Sequence, residues 1–170
     1  AEIEIRGAWL QAEFWGRHWC VAAGNPLPVG PYRSMRRYLA EAPDATFAND
    51  ALLQALKRLS SVDDTHPGLR DRIEALDATP TLPAWSRGSA LALLGGGARQ
   101  WVKYFDKQWC SNNATEWKQH HAWLERVRAR AEVLGTSMPQ NSAAELVELA
   151  RLKRHLDPHA DVRALYEHAL

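Results

Sequence analysis

The sequence predicts an all-α protein, an irregular helical bundle with one long helix and a C-terminal helical hairpin. Three observations predict it. Apolar residues recur at three- and four-residue intervals in most segments. No stretch alternates apolar and polar residues as a half-buried strand does. Clusters of proline and glycine cut the chain into helix-sized pieces.

Between Glu2 and Ala23 the positions Ile5, Trp9, Ala12, Trp15, Trp19 and Ala23 share one helical face, so an amphipathic helix is expected there. GNPLPVGP, residues 24–31, stops it, because X-Pro pairs push the backbone into extended conformations. A short basic helix follows from Tyr32 to Ala42 with Arg33, Arg36 and Arg37. The next helix takes Thr46 as its N-cap and Phe47, Ala51, Leu52, Leu53, Leu56 and Leu59 as its stripe. A third short helix opens near Pro67, where a missing N–H costs little, and turns Leu69, Ile73 and Leu76 toward a core. Residues 78–88, ATPTLPAWSRG, form a Pro-rich connection. Ser89 restarts an apolar helix that the triplet Gly95-Gly96-Gly97 interrupts.

From Ala98 to Leu134 the text is helical without proline or glycine, about 55 Å if unbroken at ~1.5 Å per residue. Trp101, Phe105, Trp109, Trp117, His120, Leu124, Val127, Ala131 and Leu134 trace one drifting face. SNNA at 111–114 disfavours a helix interior, so the segment is one long helix or two in line. Gly135 ends it. Ser142 and Glu145 have capping-box spacing ahead of Leu146, Leu149, Leu152 and Leu156. Asp157-Pro158 breaks that helix, and a last one runs from Asp161 to Leu170. The final pair resembles a tetratricopeptide-type hairpin, although no second copy of a 34-residue period follows it.

Composition narrows the function classes. Lysine and arginine (21) nearly balance aspartate and glutamate (20), a net charge of +1, so the basic excess of a general nucleic-acid binder is absent. The two cysteines, Cys20 and Cys110, have no CxxC spacing and read as reduced, buried thiols. No apolar run is long enough to span a membrane. The opening AEIEIRGAWL lacks both a signal-peptide pattern and an initiator methionine, so a longer parent protein is expected. Eight tryptophans are many for 170 residues, and core or groove packing is their first explanation.

Several chemistries find no support in the spacing. There is no HExxH; His120 and His121 point about 100° apart on a helix, and Pro158 separates His155 from His159, so no metal ligand set is assigned. The glycine triplet has no GxxxxGK[ST] frame. Arg154 with His159, and Arg163 with His168, fit the Arg-x4-His pattern of all-helical HEPN ribonucleases, but a pattern this short arises by chance.

DTHPGLRDRIEAL, residues 64–76, is more informative. With the leucine-rich helix before it, the phrase THPxxxxRIxAL resembles the closing segment of the peptidase core in the M48 (HtpX-like) membrane zinc metallopeptidases. The resemblance covers residues 46–77 and, more loosely, the tryptophan-rich helix before them and the helical region after. It implies that His66 and Arg72 sit near the scissile peptide, where they bind substrate or stabilise the developing oxyanion, as a hydrogen-bond donor or cation can. It also implies zinc in the parent protein, on an HExxH and a further acidic ligand that would both precede residue 1, and membrane helices that this chain lacks. The chain alone is then expected to hold no cofactor and no metal, and to cleave nothing.

Local physics offers other roles, with His66 a helix cap and Arg72 an exposed ion pair to Asp71 or Glu74. The expected organisation is a peptidase-derived helical part over 1–80 and a helical extension over 81–170. Expected partners are the rest of the peptidase core and a protein or peptide substrate, with no nucleic acid, and with membrane association only through the parent. This region would itself be soluble and cytoplasmic. A different class of reading makes the chain a free-standing helical interaction module whose grooves, lined by Trp101 and Trp109, take a peptide or partner helix.

Overall fold

The computed structural model describes residues 1–61, 64–85 and 90–170, and among them there are helices and no strands, as an all-α protein requires. The helices are α1 (Glu2–Trp9), α2 (Trp15–Cys20), α3 (Tyr32–Tyr38), α4 (Ala45–Lys57), α5 (Leu69–Ala75), α6 (Ala98–Asn112), α7 (Ala114–Thr136), α8 (Ala143–Leu156) and α9 (Arg163–His168). A π-helical turn, Leu10–Phe14, joins α1 to α2, and a 3-10 turn, Val21–Gly24, follows α2. The chain divides into two compact units that interleave in sequence. One comprises Ala1–Phe14 and Ser34–Arg99, the other Trp15–Arg33 and Gln100–Leu170. Residue 80 therefore lies inside the first unit.

In the first unit α1 and α5 both pack on α4. Ile5, Ala48, Leu52 and Leu69 are its buried core, with Ile73, Leu82 and Trp85 partly covered beside them. The N-cap of α4 is Asp44, not Thr46: its Oδ1 accepts the Thr46 and Phe47 N–H groups at 2.8 and 3.3 Å. Those bonds, the one from Phe47 first, hold the Asp44 carboxyl below its usual range. Ala48 and Leu52 face inward while Leu53, about 100° from Leu52 on the helix, is exposed, and Leu59 lies beyond the helix end.

Arg6 fastens α1 to the end of α3. Its Nη1 donates to the Leu39 and Glu41 carbonyls at 2.6 and 3.0 Å, its Nε pairs with Glu2, and its guanidinium lies 5.3 Å from the centre of the Trp85 ring. The helix expected to reach Ala42 ends at Tyr38, and Arg6 takes the carbonyls released just beyond it. α5 ends in a Schellman arrangement: Ala78 N–H bonds Ile73 O and Asp77 N–H bonds Glu74 O, with Asp77 left-handed at φ 47°. That early stop explains why Leu76, expected in the core, is 78% exposed. Gly95, at φ 52° and ψ −135°, makes the kink expected of the glycine triplet. The helix start expected at Ser89 lies outside the described residues.

In the second unit the text 98–134 resolves into two helices that meet at Asn113, inside SNNA. The Asn113 side chain donates to Trp109 O at 2.8 Å, the local bonding that makes asparagine a poor interior residue. α7 continues through Gly135 to Thr136, and stops where Thr136 Oγ1 and Ser137 Oγ both donate to Val133 O. The expected capping box is present, with Glu145 N–H on Ser142 Oγ and Ser142 N–H on Glu145 Oε2. α7 packs on α8 and α8 on α9, closing a core of Leu134, Leu146, Leu149, Val162 and Leu165. α9 starts at Arg163 because Asp161 Oδ1 first accepts the Arg163 N–H.

Beside that core, the end of α2 and its 3-10 turn lie on α7. Three α7 side chains bond carbonyls of the turn and of the residue just after it: His121 Nδ1 bonds Ala22 O at 2.6 Å, Arg128 Nη2 bonds Ala23 O at 2.7 Å and Trp117 Nε1 bonds Asn25 O at 2.8 Å. The loop that follows is tied to α6, with Cys110 Sγ donating to Pro28 O and Tyr32 N–H to Asp106 Oδ1 at 2.7 Å. Gly30 lies against Asp106 so closely that a Cβ there would overlap the aspartate side chain.

Two substitutions test these fastenings. Arg6→Ala removes two charge-assisted bonds to carbonyls and should cost about 2 to 4 kcal/mol, read as a lower urea midpoint at unchanged slope. A loss below ~0.5 kcal/mol, the range of ordinary surface changes, would mean that α3 does not depend on it. Gly30→Ala forces the loop away from α6 and should cost about 1 to 3 kcal/mol. An unchanged midpoint would show that the close approach is dispensable.

Candidate functional site

His66 and Arg72 line the same cleft of the first unit, about 290 Å³, together with Glu4, Arg58 and Asp64. The local backbone explains how. α4 ends at Lys57, and Arg58 is already extended at φ −67° and ψ 119°. Asp64 folds back on Ser61, accepting its N–H at 2.8 Å on Oδ2 while its own N–H bonds Ser61 O. Ser60 Oγ then accepts the Gly68 N–H at 2.6 Å and donates to the Asp71 carboxylate, which locks the entry to α5.

Gly68 is therefore the N-cap residue, and His66 stands before the helix with its side chain exposed rather than capping it. Pro67 likewise precedes the first turn, immediately before Gly68. Arg72 lies one turn into α5. Its ion-pair partner is Glu4 on α1, with Nη2 to Oε1 at 3.0 Å, and neither Asp71 nor Glu74. Asp71 is instead engaged by Ser60. Arg58 and Asp64 approach to 4.0 Å across the cleft mouth.

Such a cleft offers hydrogen-bond donors to a carbonyl oxygen or an anion. The side chains of Arg72 and Glu4 are 48% and 46% exposed, so their pair is worth at most ~1 kcal/mol and is easily exchanged for a ligand. Among the described residues no group of three His, Cys, Asp or Glu side chains is placed to hold a metal ion.

The other residues singled out by pattern are engaged locally. Arg154 bonds Pro158 O, Arg163 pairs with Glu167 at 2.7 Å and His168 Nδ1 bonds Ala164 O. His120 and His121 diverge as expected for neighbours on a helix. The first packs between Trp19 and Trp123, with ring centres 5.3 and 5.2 Å away, and the second bonds Ala22 O. His155 packs against Trp123 at 5.0 Å, while His159 lies beyond the end of α8. Cys20 and Cys110 are free and partly buried, and desolvation, helped by the charges of Asp157 and Asp106 respectively, raises both thiols above their usual range.

One residue escaped the sequence reading. His18 is buried among Trp15, Trp109 and Trp117, with ring centres 5.1 to 5.9 Å away. Burial lowers its pKa, against the opposing pull of the Val29 backbone and Asp106. The signal was present in WGRHW, residues 15–19, where a histidine shares the apolar face of two tryptophans.

Fold and cleft together define a helical protein with a mixed-charge, donor-bearing cleft at one helix entry. No protein-family model, no curated protein and no solved structure matches the chain.

Because the fold favours neutral His18, its contribution to stability is complete above the unfolded-state pKa of about 6.5 and declines as pH falls below that value. His120, also lowered by burial, adds to the same window. The urea midpoint should therefore fall as the pH drops below about 6.5, and His18→Phe should remove much of that slope. An identical slope in the variant would exclude His18 as its source.

Proposed function

We propose that this chain is a helical part of an M48-like zinc metallopeptidase, in which His66 and Arg72 bind the peptide substrate and stabilise charge that develops on its carbonyl oxygen. The observation that carries the proposal is the meeting of the two residues of HPxxxxR in one cleft, with Arg72 held, among the described residues, by an exposed, exchangeable ion pair. His66 is exposed and makes no cap, so its side chain is available to a ligand.

The chemistry is direct. As a peptide carbonyl is attacked, negative charge grows on its oxygen, and an imidazole N–H or guanidinium placed beside it binds more strongly as that charge grows. Zinc, held by residues outside this sequence, would supply the activated water and polarise the carbonyl. In this reading the zinc ligands lie in other parts of the parent protein, and the chain alone cleaves nothing. No helix among the described residues is long and apolar enough to cross a membrane. In this proposal the membrane-spanning segments are those of the parent's other parts.

The test uses the longest natural protein that contains this chain. It should carry an HExxH before Ala1 and cleave unfolded protein in a zinc-dependent way. There His66→Ala and Arg72→Ala should each lower kcat about 10²-fold or more with zinc content unchanged. A parent without HExxH, or an unchanged kcat in both variants, would reject the reading.

A further inference from the structure

Hydrogen bonds from both sides of the cleft converge on one residue outside it. Ser60 Oγ accepts the Gly68 N–H at 2.6 Å, and Gly68 O in turn accepts the Arg72 N–H at 3.2 Å. The Ser60 hydroxyl has one proton to give, and it goes to the carboxylate of Asp71. Ser60 thereby bonds a peptide two residues after His66 and a side chain one residue before Arg72. The approach is close: a Cβ on Gly68 would stand 3.1 Å from Ser60 Oγ and 3.2 Å from Arg58 O.

The two cleft residues differ in what holds them. Arg72 belongs to α5, so the helix fixes its backbone. His66 precedes that helix, is exposed and has no place in the core of its unit, so no apolar packing sets its position. Its distance from Arg72 depends on the backbone between them and on what fastens that backbone from outside. Ser60 does so at Gly68. Giving its proton to a carboxylate also polarises the hydroxyl, which makes its oxygen a stronger acceptor for the Gly68 N–H.

We propose that Ser60 is a positioning residue of this site, which fixes His66 relative to Arg72 so that both reach one carbonyl oxygen. Neither Ser60 nor Asp71 lines the cleft, so Ser60 acts through His66 and not on the substrate. This role rests on the reading of His66 and Arg72 as groups that stabilise a developing oxyanion, and it adds a requirement to that reading. Such stabilisation works through donors held in place before the reaction, and a displacement of about 1 Å can cost about 10²-fold in rate.

A double-mutant cycle in the longest natural protein that contains this chain tests the role, read as zinc-dependent cleavage of unfolded protein. Ser60→Ala should lower kcat about tenfold to 10²-fold with KM and zinc content unchanged, since the lost bonds serve a donor used in the transition state. Ser60→Thr keeps the hydroxyl and should restore kcat. In a His66→Ala background, Ser60→Ala should lower kcat less than about twofold further, because no imidazole remains to be placed. Equal losses from Ser60→Ala with and without His66 would overturn the positioning role and leave the peptidase reading standing. So would full kcat in Ser60→Ala where His66→Ala is impaired, even if the urea midpoint of the serine variant falls. Full kcat in His66→Ala overturns the role whatever Ser60→Ala does, and full kcat in Arg72→Ala as well rejects the peptidase reading itself.

Discussion

Carbonyls left over at helix ends constrain this molecule more than any other feature. A helix leaves four of them without partners, and a chain cut into short helices multiplies the problem. Each one shielded from water without a partner costs about 1 to 3 kcal/mol. The chain meets the cost with side chains from distant sequence. Arg6 closes the end of α3 in the first unit, and Trp117, His121 and Arg128 take the carbonyls of the turn after α2 in the second. The α7 residues recur at four and seven, so they form one stripe along the helix. A single helix face thereby both satisfies the turn and positions α2, and with it the tryptophans around His18.

What could be read in the sequence follows from the range of the interaction. Ser142 and Glu145 cap each other across three residues, SNNA breaks the long segment at Asn113, and Asp157-Pro158 ends α8. Each of these is decided by neighbours. Where the deciding partner is remote, reading failed in specific ways. Leu76 seemed a core residue because the pattern continued past a Schellman turn that an aspartate, not a glycine, provides. Thr46 looked like the cap because it stands just before the apolar run, but the Asp44 carboxylate reaches the same free N–H groups and carries the charge that a helix start favours. The interleaving of the two units had no signature, since composition does not change at Phe14 or Ser34.

The cleft shows the same division. His66 and Arg72 were legible as a pair because the motif places them six apart, and both do face one space. Their surroundings were not legible. Glu4 reaches Arg72 from 68 residues away, and Ser60 takes the Gly68 N–H at the entry to α5 from eight residues away. These partners determine what the site can do: Ser60 holds the helix entry rigid, while Glu4 offers Arg72 only a solvent-screened contact. Substituting His66 or Arg72 therefore disturbs little of the core, and a loss of activity at either would report on chemistry and not on folding.

α6 completes the argument by its division of labour. Asp106, Trp109 and Cys110 anchor one side of it through the loop at Gly30 and the tryptophan cluster. The rings of Trp101, Tyr104 and Phe105 pack on one another and, through Phe105, on Tyr32, so aromatic contact orders this arc where burial does not.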